Sequence, residues 1–253
     1  MKNELVLAIS GNDIYSGGGL YADLITYAAH GQHGFVAVTC LTAMTEQGFE
    51  VFATDTEVFR HQLNSLVHVP FSAVKIGLLP NVEIAGLTLD FIQQHATIPV
   101  ILDPVLVCKE THDVEVTALR EELFKLFPYA TILTPNLAEA QLLTQKEIKT
   151  LKDMEIAAKE LHRLGAKAVV IKGGTRFSES EAIDLFYDGQ NLELLRQPLL
   201  EGNNTGAGCT FASAIASLIV NGESVSKAVA GAKEFVYRSI QKSDKYGVIQ
   251  YEK

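Results

Sequence analysis

Leu5–Ala28, LVLAISGNDIYSGGGLYADLITYA, carries the reading that decides the fold. Leu5 to Ile9 is an apolar run ending at Ser10-Gly11-Asn12-Asp13, the pattern of a buried strand feeding a turn. Gly17, Gly18 and Gly19 follow, and Leu20, Leu24, Ile25 and Ala28 then recur at helical spacing. Strand, glycine turn and helix in this order open a doubly wound sheet, whose ligands bind beyond the carboxyl ends of the strands. The G-x-G-x-x-G spacing of a dinucleotide site is absent. Asp23, in the first helical turns, reads by default as a solvated helix residue.

The same rhythm continues outward. Phe35–Thr39 reads as a strand, Thr56–Val67 as an amphipathic helix and Ala73–Leu79 (AVKIGLL) as a third strand. A helix over Val82–Gln94 leads to the strand Pro99–Pro104, whose tip carries Asp103, either a metal or phosphate group or a turn residue before proline. Residues 105–113 (VLVCKETHD) break the rhythm as a loop holding Cys108, accessible but on general grounds incidental. After a further helix and the strand Ala130–Leu133, Asn136 and Glu139 stand three apart, as a hard-cation site or as a cap and a surface acid. A helix over Met154–Leu164 ends at Gly165, and the strand Ala168–Ile171 runs into Lys172-Gly173-Gly174. Asp188-Gly189-Gln190 between two apolar runs marks a hairpin. The expected architecture is one three-layer α/β/α domain over residues 1–253, with a doubly wound, mostly parallel sheet.

Near the end stands Glu201–Ser217, EGNNTGAGCTFASAIAS. Gly206 and Gly208 precede a helical run, and glycine leaves no side chain between the amides and a ligand. A helix start adds free N–H groups and a positive dipole end, so the stretch suits a phosphate or an oxyanion. Cys209 falls in the first turn, where a thiol pKa is expected to be lowered. A glycine-rich packing turn with a buried cysteine fits these residues equally well.

Composition narrows the classes. Of 253 residues, 47% are hydrophobic and 20% charged, as in an ordinary globular protein. Net charge is −9 without a basic cluster, which argues against nucleic-acid binding. No apolar run approaches the roughly 18 residues of a membrane span, and MKNELVLAIS is too short to be a secretory signal, so no membrane partner and a cytoplasmic location are expected. Cys40, Cys108 and Cys209 have neither disulfide-framework nor zinc spacing.

Six stretches in order, SGNDIYSGGGLYADL, VKIGLL, ILDPVLVC, TPNLAEA, VIKGG and NTGAGCTFASAIAS, resemble the ribokinase-like superfamily. Within it they are similar to the vitamin-kinase branch of pyridoxal kinases and hydroxymethylpyrimidine (phosphate) kinases. The resemblance implies an anion hole from the amides of Gly206, Ala207 and Gly208 for the transferring phosphoryl group. Cys209 stands where related sugar kinases carry a basic aspartate. Asn136 and Glu139 match an N-x-x-E motif that organises Mg²⁺ and phosphate, and Asp103 joins Glu139 as a metal ligand. Lys172, Gly173 and Thr205 are expected at ATP, and Asp13, Gly19, Asp23, Met44, Leu78 and Val107 at the substrate. The match is closest to a bacterial dual-cysteine group, in which a lid-loop cysteine, here Cys108, adds to the aldehyde of pyridoxal.

There are departures from the pattern. Ile14 and Tyr15 replace proline or small polar residues, and Tyr21 replaces a glutamine. Met44 stands where pyrimidine kinases carry a glutamine for the aminopyrimidine edge, with Gln47 nearby. A thioether cannot satisfy that edge, which tilts the expectation toward pyridoxal. The expected function is ATP- and Mg²⁺-dependent phosphorylation of pyridoxal by a homodimer, with a monovalent cation as a further expected cofactor. The alternatives are a hydroxymethylpyrimidine kinase and a catalytically silent scaffold.

Overall fold

The computed structural model describes residues 4–106 and 113–251, with 113–116 described by backbone alone. Val107, Cys108 and the expected lid loop lie outside the described residues. The chain runs β1 (Leu5–Ser10), α1 (Gly19–Ala29), β2 (His33–Val38), β3 (Cys40–Thr45), β4 (Gly48–Ala53), α2 (Thr56–Leu66), β5 (Ala73–Ile76) and α3 (Val82–Gln94). It continues through β6 (Val100–Leu102), α4 (Asp113–Leu126), β7 (Ile132–Leu133), α5 (Leu137–Thr144), α6 (Leu151–Arg163) and β8 (Val169–Lys172). The hairpin β9 (Glu181–Tyr187) and β10 (Leu192–Pro198) leads to α7 (Ala207–Val220) and α8 (Val225–Gln241).

One sheet has the order β10-β9-β8-β7-β6-β5-β1-β2. From β8 to β2 every pairing is parallel, and β9 and β10 add an antiparallel edge. Strand period decides the layers, because alternate side chains face opposite sides. Leu7 and Ile9 of β1 join one core with Phe59 of α2, Ile84 of α3, Ala140 of α5 and Ala157 of α6. Val6 and Ala8 join another with Leu20 and Tyr27 of α1, Ile215 of α7 and Val229 of α8. Both sheet faces are covered, which is why the central strands read as unbroken apolar runs. The expected doubly wound α/β/α architecture is the one found.

The sequence reading gave no element to residues 40–53, where the structure has a separate two-stranded hairpin, β3–β4. Residues joining the entry turn, the hairpin and the sheet are tightly fitted. Thr39 donates to the Leu78 carbonyl at 2.7 Å, and the Ile14 amide to the Thr42 hydroxyl at 2.9 Å.

Candidate active site

The parallel strands deliver their carboxyl ends to one edge of the sheet, and the helices that follow them begin there. Asp55, Asn81, Asn136, Thr150 and Ser224 cap α2, α3, α5, α6 and α8 with side-chain oxygens. Helices α1 and α7 instead start after Gly18 and Gly206 and have no side-chain cap. Gly206 has φ 81°, and a Cβ there would lie 1.6 Å from the Gly17 carbonyl oxygen. The two glycine turns thus lock together and leave first-turn amides without a capping side chain. One expectation changes. The Ala207 amide donates to the Asn204 carbonyl at 3.0 Å, so it is engaged by its own turn and the hole falls to its neighbours.

Cys209 is half-buried at the start of α7, its sulfur 3.9 Å from where a Cβ on Gly18 would lie. Burial pushes the thiol pKa up. Lys75 draws it down, Asp23 and Asp103 add to the rise, and the Gly19 amide opposes it. The net direction is upward, with burial the largest cause, against the lowered thiol pKa expected from the helix start. One turn along α7, Ser213 donates to Asp23 at 2.7 Å, and Lys75 reaches Asp23 at 2.8 Å. Lys75 and Asp23 are both fully buried. Burial opposes the Lys75 ammonium, but the Asp23 carboxylate overrides it and pushes its pKa above the usual value. Asp23 therefore lies beneath the site, with no surface for a substrate. That corrects its expected place in the pocket.

A second cluster surrounds Lys172. Its ammonium lies 2.9 Å from Asp103, to which Thr134 also donates at 2.9 Å. A Cβ on Gly208 would stand 3.3 Å from the Lys172 nitrogen, so this cation sits against the α7 turn. Asn136 and Glu139 form a reciprocal capping box, Asn136 N–H to Glu139 at 2.7 Å and Glu139 N–H to Asn136 at 2.9 Å. The acid is buried, not a surface residue. Burial raises Glu139 to about 7; Lys172 lowers it and Asp103 raises it. The Gly173 amide donates to Asp184 at 3.0 Å, and Asp184 is held by Lys233. Gly173 thus shapes the loop, and its amide is not turned to a nucleotide.

Around the mouth, the two oxygens of Asp13 accept from Tyr15 and Gly18 amides at 3.0 and 2.8 Å, so Asp13 organises the entry turn. Leu78 packs beside Gly11 at the end of β5. Met44, 53% exposed, shares the β3 face with Cys40 and Thr42, the side that meets the entry turn. Gln47 lies at the hairpin tip, its amide bonded to Thr45. Thr205 is exposed, and its carbonyl accepts from Val248 at 3.1 Å. This C-terminal strap, with Asp244 and Gly247, was not foreseen, because nothing in SDKYGVIQ resembles a motif. Lys75, Ser213, Asp184 and Lys233 were missed too; each is one polar residue in an apolar run or helix. Among the described residues no three His, Cys, Asp or Glu side chains gather to hold a metal unaided.

A family model described as phosphomethylpyrimidine kinase matches residues 13–252. The chain belongs to this family. The kinase is 38% identical to the pyridoxine kinase of Bacillus subtilis over 96% of its own length and 92% of the relative's. It is 33% identical to the hydroxymethylpyrimidine/phosphomethylpyrimidine kinase of Aquifex aeolicus, covering 96% of both chains. Structures of the pyridoxal kinase from Staphylococcus aureus in complex with AMP-PCP and with pyridoxal each superpose on it with TM-score 0.91. They share 33% identity and cover 99% of this chain and 94% of theirs. Fold, motif order and length all agree with the vitamin-kinase branch, and the kinase is placed there.

Proposed function

We propose that this kinase transfers the γ-phosphoryl group of ATP to the 5′-hydroxymethyl group of pyridoxal, giving pyridoxal 5′-phosphate, with residues 1–253 acting as one domain. The observation that carries the reading is the convergence of the uncapped α7 turn, Cys209 and Lys172 at one strand edge. The amides that neighbour Ala207 in the α7 turn and the Lys172 ammonium hold the phosphates, with Thr205 and the Gly173 loop framing them. Phosphoryl transfer needs positioning and charge neutralisation more than covalent chemistry. Cys209, in its thiolate form, takes the hydroxymethyl proton as the oxygen attacks phosphorus and becomes the neutral thiol.

Asp103 and Glu139 flank Lys172 and suit an oxygen-ligand cation that brings its own phosphates and waters, the usual binding mode of Mg²⁺. Bound there, Mg²⁺ neutralises charge on the phosphates. Met44 and Leu78, with Gly19, line the vitamin site and offer no polar edge to an aminopyrimidine; the family resemblance assigns Val107 to the same site. Cys108 adds its S–H across the pyridoxal aldehyde, sulfur to carbon and proton to oxygen, giving a hemithioacetal that holds the ring beside ATP. Leu41 and Phe52 are about half exposed on one face of the β3–β4 hairpin, which suits a homodimer. No helix among the described residues is long and apolar enough to cross a membrane, and three scattered cysteines without disulfide-framework spacing suit a reducing cytoplasm.

Similarity to the Aquifex aeolicus relative supports hydroxymethylpyrimidine as a second reading. A coupled ADP-release assay across pyridoxal, pyridoxine, pyridoxamine and hydroxymethylpyrimidine separates them. The highest kcat/KM is expected for pyridoxal. A pyrimidine optimum selects the second reading, and no ADP release with any of them leaves a silent scaffold.

A further inference from the structure

Two rungs tie α1 to α7. In the upper rung the Cys209 sulfur stands against the start of α1, 3.9 Å from where a Cβ on Gly18 would lie. In the lower, Ser213 donates to Asp23 at 2.7 Å. Gly19 and Asp23, like Cys209 and Ser213, are four residues apart, so about 6 Å of rise, a little over one turn, separates the rungs on both helices. From the sheet beneath, Lys75 enters the lower rung at 2.8 Å from Asp23 and 3.5 Å from the Ser10 hydroxyl. Gly77 leaves it room, since a Cβ there would lie 2.7 Å from the Lys75 nitrogen.

A lysine buried in the middle of a central strand is costly unless it serves something. Packing does not require it, because the neighbouring positions of the same sheet face, Ala73 and Ile101, are apolar. We propose that Lys75, held in place by Asp23 and Ser213, is a positioning residue for Cys209, supplying from beneath the positive charge that favours the sulfur anion.

The other ionisable groups that Cys209 senses are Asp23 and Tyr27 on α1, Asp103 after β6 and Lys172 on β8. Lys75 acts on the sulfur more strongly than Asp23, in the opposite sense. The inference rests on Cys209 as the base of the proposed reaction, but its test does not need turnover.

The test is the pH dependence of Cys209 alkylation by iodoacetamide, resolved from Cys40 and Cys108 by peptide mass spectrometry. Lys75→Met is expected to raise the apparent pKa by roughly 1–3 units, and Asp23→Asn to lower it. A merely structural pair would shift both variants in the same sense or neither, and that result overturns the proposal. If a single variant fails to fold, the double variant Lys75→Met/Asp23→Asn decides. A raised value supports the proposal, since the stronger charge has gone, and an unchanged one overturns it. Full turnover in Cys209→Ala would remove the base role while leaving the thiol titration to stand on its own.

Discussion

Gly206 is the glycine of the α7 turn, and a side chain there has no place to go. A Cβ would meet the Gly17 carbonyl oxygen, and φ 81° is itself a left-handed conformation costing about 1–2 kcal/mol for other residues. Gly206→Ala is expected to lower Tm by several degrees, at roughly 2–4 °C per kcal/mol in a chain of this size, and to remove most turnover. A thermal scan and an ADP-release assay check this together. Glu139 gives a pH signature. Its folded-state pKa of about 7 lies above the ordinary 4.5, so the folded protein holds that proton more tightly than the unfolded chain. Its contribution to stability is full below pH 4.5 and is lost as pH rises to about 7. Denaturant titrations of metal-free protein across this window should show the decline, and Glu139→Gln should flatten it; an unchanged slope would assign the decline elsewhere. Such pairings are invisible in sequence. Lys75 sits in the apolar run AVKIGLL, and its partner Asp23 is 52 positions away. Nothing local distinguishes a buried ion pair from a snorkelling lysine and a solvated aspartate.

At the scale of elements, parallel strands and their helices were legible because apolar period and glycine punctuation agree over most of the chain. The bounds of α3, for instance, are those expected. The β3–β4 hairpin was not, for two physical reasons. Its tip, Glu46-Gln47, lacks a favoured two-residue turn signal, and both faces carry exposed apolar side chains, Leu41 opposite Phe52 and Met44 opposite Phe49. Without one polar face the strand alternation disappears. The proposed role of the Leu41–Phe52 face in pairing is testable: light scattering should find a dimer that Phe52→Glu shifts toward monomer. A monomeric wild type contradicts it. The loop after β6 gives a second test at this scale. If Cys108 adds to the aldehyde, Cys108→Ala should harm phosphorylation of pyridoxal far more than that of pyridoxine, which carries an alcohol at that carbon. Equal losses would mean closure alone, which excludes water whatever the ring carries.

Across the whole molecule, the sheet collects groups distant in sequence: Gly19, Asp103, Asn136, Lys172 and Cys209 reach one edge, with Lys75 beneath them, because their strands run parallel. The order of the motifs was legible without coordinates, since each is a strand end followed by a turn. What that order could not give is which groups face the ligand and which stand behind it. Asp13 and Asp23 look alike in sequence, yet one ties the entry turn and the other lies beneath Cys209 with Lys75. Phosphoryl transfer is proposed at the start of α7, with the sulfur of Cys209 receiving the proton. Turnover of Cys209→Ala at saturating ATP and pyridoxal, with nucleotide affinity measured in parallel, tests this most directly. The expected result is a fall in kcat of roughly 100-fold or more, in the range of general acid–base groups, with nucleotide affinity nearly unchanged because the anion hole is backbone. Turnover near that of the wild type would contradict it.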